Sequence, residues 1–213
     1  MKGIIVIALA LASLQVIQPT YLPASYRSGE LPVQPPQVPG GGEVLLELTV
    51  GNDGKVIKGH TLRSTPPFTE LLVDAVRLWK FQPAEDRGHE VESAVLVAGL
   101  FRPPTLMGPA AGEPPKDVTP PSRLIPMPYT IVPPDYPPGA LADGVVLVEV
   151  IVERDGTVEA ARVLRSSAAF DRAATDAVLQ WKFRPARRDG KPVPSFAYVV
   201  FGFRQPVTPP STK

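Results

Sequence analysis

The 213-residue sequence contains no cysteine. This absence excludes disulfide bridges, iron–sulfur clusters, thiolate zinc sites and cysteine nucleophiles. Histidine is also scarce, because only His60 and His89 occur and they lie far apart in the sequence. A histidine metal site or a serine–histidine–aspartate triad would have to be built on one of them. The sequence offers no metal-ligand cluster, so no metal site and no cofactor are predicted.

The sequence also lacks an excess of positive or negative charge. Lys and Arg number 22 against 21 Asp and Glu, which gives a formal net charge of +1. No basic tract stands out, so a nucleic acid partner is not expected. Hydrophobic residues make up 44% of the chain, which is enough to build a folded core.

Proline, by contrast, is abundant, with 28 residues. Because proline is poorly tolerated inside helices and central strands, two small domains are favoured over one large domain. The proline-dense stretches predict linkers at 18–30 and 103–128 and a tail at 205–213.

The N-terminus begins with Met1-Lys2 and continues with a short apolar run, 3–17. A positive charge followed by such a run is typical of a signal peptide. The run is shorter than the roughly 20 residues that span a bilayer. Residues 1–17 are therefore predicted to be a signal peptide or a short anchor, and either one predicts a periplasmic or cell-envelope location.

The body of the chain is an internal duplication with an offset of 102 residues. Trp79-Lys80-Phe81 recurs as Trp181-Lys182-Phe183, and Pro83-Ala84 recurs as Pro185-Ala186. Aligned without a gap, 42–102 and 144–204 share 26 identities in 61 positions. This similarity predicts two copies of one domain, at 31–102 and 129–204.

Each copy is predicted to contain strand, strand, helix and strand. In the second copy a β-branched run, 145–152, ends at the Asp155-Gly156 turn, which is typical of a half-buried strand entering a hairpin. Further strands are expected at about 157–165 and 194–204. The predicted fold class is α+β: two tandem ββαβ domains, each a small antiparallel sheet with one helix packed on it, joined by Pro-rich linkers.

The helix is indicated by apolar residues at positions i, i+3, i+4 and i+7. They are Ala174, Ala177, Val178 and Trp181, with Leu72, Ala75, Val76 and Trp79 in the first copy. Asp171 is the predicted N-cap. Proline is expected to end each helix shortly after Trp-Lys-Phe. Six residues are predicted to be structural anchors in the core, at element ends and at turns: Trp79, Trp181, Pro83, Pro185, Gly54 and Gly156.

The second copy carries an ordered series of motifs. These are Tyr136-Pro137-Pro138, Asp155-Gly156, Phe170-Asp171, Trp181-Lys182-Phe183 and Pro185-Ala186. In type and spacing the series resembles the C-terminal domain of TonB, the energy transducer of Gram-negative outer-membrane transport. The first copy resembles the same domain more loosely, since it lacks the tyrosine before its proline pair and has Glu70-Leu71 in place of Arg172-Ala173.

The resemblance implies a ββαβ unit that binds a segment of a partner protein by pairing it with an exposed strand. It implies no catalytic residue, so the chain is not expected to be an enzyme. The last strand is the predicted pairing edge because both of its faces are apolar. Its residues are Tyr198, Val199, Val200, Phe201 and Phe203. The alternative is that the second apolar face packs on a symmetric copy or on a linker.

Two functions follow from these expectations. The first is a TonB-like envelope protein that contacts a protein partner such as an outer-membrane TonB-dependent receptor, in energised transmembrane transport. Coupling to the ExbB–ExbD motor would require that the N-terminus is retained. The alternative is a periplasmic scaffold or sensor module that binds peptidoglycan or a signalling partner without energy transduction.

Overall fold

The computed structural model describes residues 21–35, 38, 40–104 and 122–206. The predictions for 1–17, and for most of 103–128 and 205–213, fall outside the described residues.

The fold is α+β, mostly strands with two helices. In chain order its elements are β1 (Tyr21–Leu22), β2 (Ser25–Ser28), β3 (Gly42–Val50), β4 (Val56–Arg63), α1 (Phe68–Val76), β5 (Lys80–Gln82), β6 (Ala84–Asp86), β7 (His89–Val91), β8 (Ser93–Phe101), β9 (Met127–Thr130), β10 (Gly144–Val152), β11 (Val158–Arg165), α2 (Asp171–Val178), β12 (Lys182–Arg184), β13 (Arg187–Arg188), β14 (Lys191–Pro192) and β15 (Ser195–Phe203).

Two tight turns shape the long hairpins β3–β4 and β10–β11. Gly54 and Gly156 have φ values of +75° and +86°, in the left-handed region that glycine enters without steric cost. Neither turn has room for a side chain. A Cβ on Gly156, for example, would stand 1.7 Å from the Phe183 carbonyl oxygen. The Phe183 amide donates to the Gly156 carbonyl at 2.8 Å. Glycine is therefore required at these turns by conformation and by space.

The helices are shorter than the sequence pattern predicted. Both end at a valine, three residues before Trp79 or Trp181, and the expected helical ends at Trp-Lys-Phe are instead strands β5 and β12. The prediction that Pro83 and Pro185 end the helices is therefore wrong. Residues 80–82 and 182–184 are extended because they pair with β2 and β9, so they cannot continue the helix.

The helix start also differs from expectation. Asp171 is the first helical residue, and the N-cap is Phe170, without a side-chain cap hydrogen bond. The Asp171 carboxylate accepts instead from the Ser167 amide at 2.9 Å. In the first copy, Thr69 Oγ1 accepts from the Thr65 amide at 2.8 Å. In both copies, the side chain at the position of Asp171 or Thr69 thus connects the start of the helix to the preceding loop by a hydrogen bond.

The segments predicted as linkers contribute strands and core residues. Within 18–30, β1 pairs with β6 and β2 pairs with β5. At the end of 103–128, Ile125 and Met127 are buried. In this part of the described chain the linker prediction is corrected, because these residues add hydrogen bonds and apolar surface to the core.

The long strands form one six-stranded sheet in the order β11-β10-β15-β8-β3-β4. The prediction of two separate small antiparallel sheets is therefore wrong. We call residues 42–101, which contain β3, β4, α1 and β8, the first unit, and residues 144–203, which contain β10, β11, α2 and β15, the second unit. The two units meet where β8 and β15 pair in parallel, through Leu96–Phe101 and Ala197–Gly202. We call this pairing the seam.

The two helices pack on opposite faces of the sheet. At the seam, Leu96 pairs with Ala197 rather than with Tyr198, its equivalent 102 residues later. A shift of one residue turns a strand side chain to the other face, so equivalent residues of the two units face opposite ways. Each face therefore has one helix, and each core contains strand residues from both units.

Candidate partner-binding edges

The strand predicted to receive a partner lies in the middle of the sheet. On one side β15 pairs antiparallel with β10, and on the other it pairs parallel with β8. The prediction of an accessible edge at Tyr198–Phe203 is therefore corrected, because its hydrogen-bonding groups face strands of the same chain on both sides. Whether a partner protein contacts these residues stays a prediction.

Both apolar faces of this strand are covered. Val199, Phe201 and Phe203 belong to the core around α2, where the Phe203 ring stacks on Phe170 with 4.5 Å between centroids. Tyr198 and Val200 belong to the core around α1. The second apolar face thus packs on the other unit of the same chain.

Tyr198 carries a buried polar cluster that the apolar pattern did not predict. Its hydroxyl donates to the Ala24 carbonyl at 3.1 Å and accepts from the Tyr26 amide at 3.0 Å. The Glu149 carboxylate lies 3.4 Å away. Burial raises the pKa of Tyr198 far above its ordinary value, and the charge on Glu149 raises the pKa further. The cluster fixes the segment before the first unit onto a strand of the second.

Two carboxylates occupy equivalent places in the neighbouring strands. Glu149 is 2% exposed and forms an ion pair with Arg162 at 2.7 Å. Glu47, its equivalent, is 6% exposed and accepts a hydrogen bond from the Ser122 hydroxyl. A charged residue inside an apolar strand was the one sequence signal for this feature. The polar partners of both carboxylates belong to the same chain.

The outer edges of the sheet belong to β4 and β11. Among the described residues neither strand has a strand partner on its outer side. Both pairings contain register shifts, between Leu45 and Leu46 opposite β4 and between Leu147 and Val148 opposite β11. Bulges and charged side chains are common protections of exposed edges. The central part of β11, at 160–163, keeps regular register with β10.

A groove of about 600 Å³ lies between α2 and the proline segment 132–138. Arg172, Ala173 and Asp176 line its helical side. In the first unit Leu71 stands where the second unit has Ala173, and Leu71 packs against the core. The helical side of the groove is therefore formed by a small side chain at a position where the first unit has a large one.

The predicted structural anchors hold equivalent positions in the two units. Trp79 and Trp181 are buried, at 0% and 1% exposure. Each indole Nε1 donates to a backbone carbonyl, of Glu30 at 2.8 Å and of Val132 at 2.9 Å. Pro83 and Pro185 directly follow strands β5 and β12. The tryptophans therefore bind the segment that precedes each unit.

Within the described ranges, no group of three or more acidic, histidine or cysteine side chains is placed to hold a metal ion. His60 and His89 are both exposed, on β4 and β7. The described part of the chain also contains no helix that is long and apolar enough to cross a membrane.

A comparison with known protein families found a match that covers the second unit. Residues 132–204, about a third of the chain, match the family described as Gram-negative bacterial TonB protein C-terminal. This is a family of periplasmic protein-interaction domains, and its members are not enzymes. No curated protein matches the chain. The matched range contains β10, β11, α2 and β15, so the second unit is similar to a TonB C-terminal domain.

Proposed function

We propose that the chain is a non-enzymatic, TonB-like binding protein of the cell envelope, which holds an extended segment of a protein partner at the outer edge of β11. The proposal rests on one observation. In the matched unit the inner edge is filled by β8, whereas no described residue pairs with the outer side of β11. Main-chain hydrogen bonds to an added strand provide affinity without a catalytic group. The proposed partner is an outer-membrane TonB-dependent receptor.

Neighbouring proline substitutions test this edge. Successive backbone N–H groups of a strand point to opposite sides, so one of Ala160→Pro and Ala161→Pro removes an outward donor and the other breaks the ladder with β10. We expect one variant to keep wild-type stability and to lose capture of outer-membrane proteins. The other should lose stability. A stable variant with undiminished capture would exclude this edge.

The first unit offers a matched control. Lys58→Pro and Gly59→Pro make the same change at the centre of β4, on the opposite border of the sheet. We expect the stable member of this pair to capture outer-membrane proteins as the wild type does. Loss of capture in both strands would point to a general effect of edge prolines rather than to a site at β11.

We also propose that the first unit is a degenerate copy of the same domain. Its three long strands have the same lengths as those of the second unit. The tryptophan hydrogen bonds to Glu30 and Val132 are separated by the repeat offset of 102 residues. This correspondence in detailed contacts supports duplication rather than chance similarity of fold.

A scaffold or sensor module is the second candidate function. The observation that favours it is the filled inner edge at β15, since a module of this kind needs no strand capture there. Sedimentation with purified cell-wall sacculi separates the two candidates. Co-sedimentation at physiological salt, with no capture of outer-membrane proteins, would favour the scaffold. The reverse result would favour receptor contact.

Participation in energised transport depends on the fate of residues 1–17. A chain that retains them at the inner membrane could couple to ExbB–ExbD, whereas a cleaved chain could not do so alone. Mass determination of the mature N-terminus decides between these forms. We expect a cleaved, periplasmic protein, because the apolar run is short for a membrane span.

A further inference from the structure

The seam joins two different strand surfaces that fit each other. Gly202 pairs with Phe101, and a Cβ on Gly202 would stand 2.6 Å from Cδ1 of that ring. The same Cβ would stand 2.1 Å from Nε2 of Gln34. The position equivalent to Gly202 in the first unit is Leu100. The space for the Phe101 ring therefore exists only because the two units differ here.

The Phe101 ring is itself fixed in the first unit. It stacks on Phe68 with 4.7 Å between ring centroids and an interplanar angle of 12°. Phe101 is 2% exposed. The main chain continues the pairing beyond the strand ends, because the Arg102 amide donates to the Gly202 carbonyl at 2.8 Å. A partner strand that replaced β8 would have to replace this aromatic stack as well.

Polar contacts outside the seam join the second unit to the first unit and to the segment before it. The Arg165 guanidinium of β11 donates to the Gly29 carbonyl at 2.7 Å. Arg188 forms an ion pair with Asp86 at 2.6 Å, and its guanidinium lies 4.2 Å from the centre of the Tyr21 ring. These contacts join parts of the chain that are more than 100 residues apart.

We infer that β8 is the strand ligand of the second unit in cis: the first unit fills the pairing edge at β15, and this edge is not offered to a strand from another protein. The inference rests on the proposed function, in which a unit of this kind binds an extended segment. It adds that the inner edge has its own intramolecular occupant, and that an external partner must use another surface.

Hydrogen exchange of the full-length protein tests whether the seam opens. If β8 is a permanent occupant, amides of 96–101 and 197–202 should exchange at least about 100-fold more slowly than amides of β4 and β11. Their protection should equal that of β3 and β10. Exchange at the seam as fast as in the outer strands would overturn the inference.

A disulfide lock provides the second test. Ala98 and Val199 are paired residues whose side chains share the core around α2. Their Cα atoms lie about one strand spacing, roughly 4.8 Å, apart, which a disulfide can bridge. Because the natural chain has no cysteine, Ala98→Cys with Val199→Cys introduces a single bridge. Lys58→Cys with Glu159→Cys, on the two outer strands, is the control that cannot bridge within one molecule.

The probe for the lock is a labelled synthetic peptide with the sequence of 93–102, carrying added lysines for solubility. We expect no binding to the double-cysteine protein, oxidised or reduced. Binding to the reduced form that disappears on oxidation would mean that β8 is displaceable and would overturn the inference. The proposed function fails separately, by unchanged receptor capture in the β11 proline variants, and that failure would leave the exchange rates unaltered.

Discussion

At the scale of single residues, glycine recurs at equivalent turns of the two units, and two different requirements select it. Gly54 and Gly156 meet a backbone carbonyl and have positive φ. Gly190 also has positive φ, but a Cβ there would meet nothing within 4 Å. The comparison separates the conformational requirement for glycine from the requirement for space.

Gly156→Ala should lower the free energy of unfolding by about 2–4 kcal/mol, because the methyl group would collide with the Phe183 carbonyl and force the turn apart. Urea unfolding measures the change. Gly190→Ala is the matched control and should cost only about 1 kcal/mol, for the positive φ alone. Equal losses in the two variants would contradict the role given to the close contact.

Tyr198→Phe should lower the free energy of unfolding by about 1–3 kcal/mol, since it removes the hydroxyl between the Ala24 carbonyl and the Tyr26 amide. Tyr129, which is 52% exposed, provides the control Tyr129→Phe, for which a change near zero is expected. A cost at Tyr198 no larger than at Tyr129 would argue against the buried cluster.

The same residue predicts a loss of stability in alkali. Burial raises the pKa of Tyr198 in the folded protein, whereas the unfolded side chain titrates near 10. Above pH 10 the unfolded chain therefore binds fewer protons than the folded chain, and stability falls as pH rises. Tyr198 alone contributes a slope of up to about 1.4 kcal/mol per pH unit. Unfolding of Tyr198→Phe should depend on pH less steeply by that amount between pH 10 and 12.

At the scale of elements, tertiary pairing overrode a local signal at the end of each helix. The apolar spacing up to Trp181 fits a helix, yet the helix ends at Val178 and residues 182–184 pair with β9. The tryptophan still faces the core from this position. A residue just beyond the end of a helix can still lie on the apolar side of that helix. The spacing of apolar residues alone therefore did not locate the end of the helix.

Pro185→Ala should therefore leave α2 no longer than before. The strand pairing with β9 and the bond from the Phe183 amide to the Gly156 carbonyl hold this segment extended whether or not proline follows. Far-UV circular dichroism should show an unchanged helical signal, and Pro83→Ala in the first unit should behave alike. A gain of helical signal in either variant would restore proline as the helix terminator.

At the scale of the whole molecule, the two units share one sheet and both cores. Leu147 and Tyr198 of the second unit lie in the core around α1, and Leu45 and Leu96 of the first lie in the core around α2. Neither unit can unfold without exposing apolar surface of the other. The chain is therefore expected to lose its structure in one cooperative step.

The two tryptophans allow this to be measured, since each unit has one. Trp79→Phe leaves Trp181 as the fluorescent reporter, and Trp181→Phe leaves Trp79. Within each variant, the urea transition followed by tryptophan fluorescence should coincide with the one followed by circular dichroism. Two separated transitions would instead indicate independent, tethered domains.

The sequence by itself determined the repeated pattern of strands, turns and helix. It did so because glycine turns, alternating apolar residues and helical spacing are local features that the chain carries in its own order. The buried tryptophan positions followed for the same reason. The resemblance of the second copy to a known domain was likewise present in the spacing of its motifs.

Only the tertiary structure decided which edge of each unit is open. The apolar character of both faces of β15 indicated that something covers the second face, but periodicity does not identify the occupant. Pairing with β8 depends on a register shifted by one residue, on the space above Gly202 and on the polar cluster at Tyr198. These are contacts between residues about 100 or more positions apart, and no local pattern encodes them.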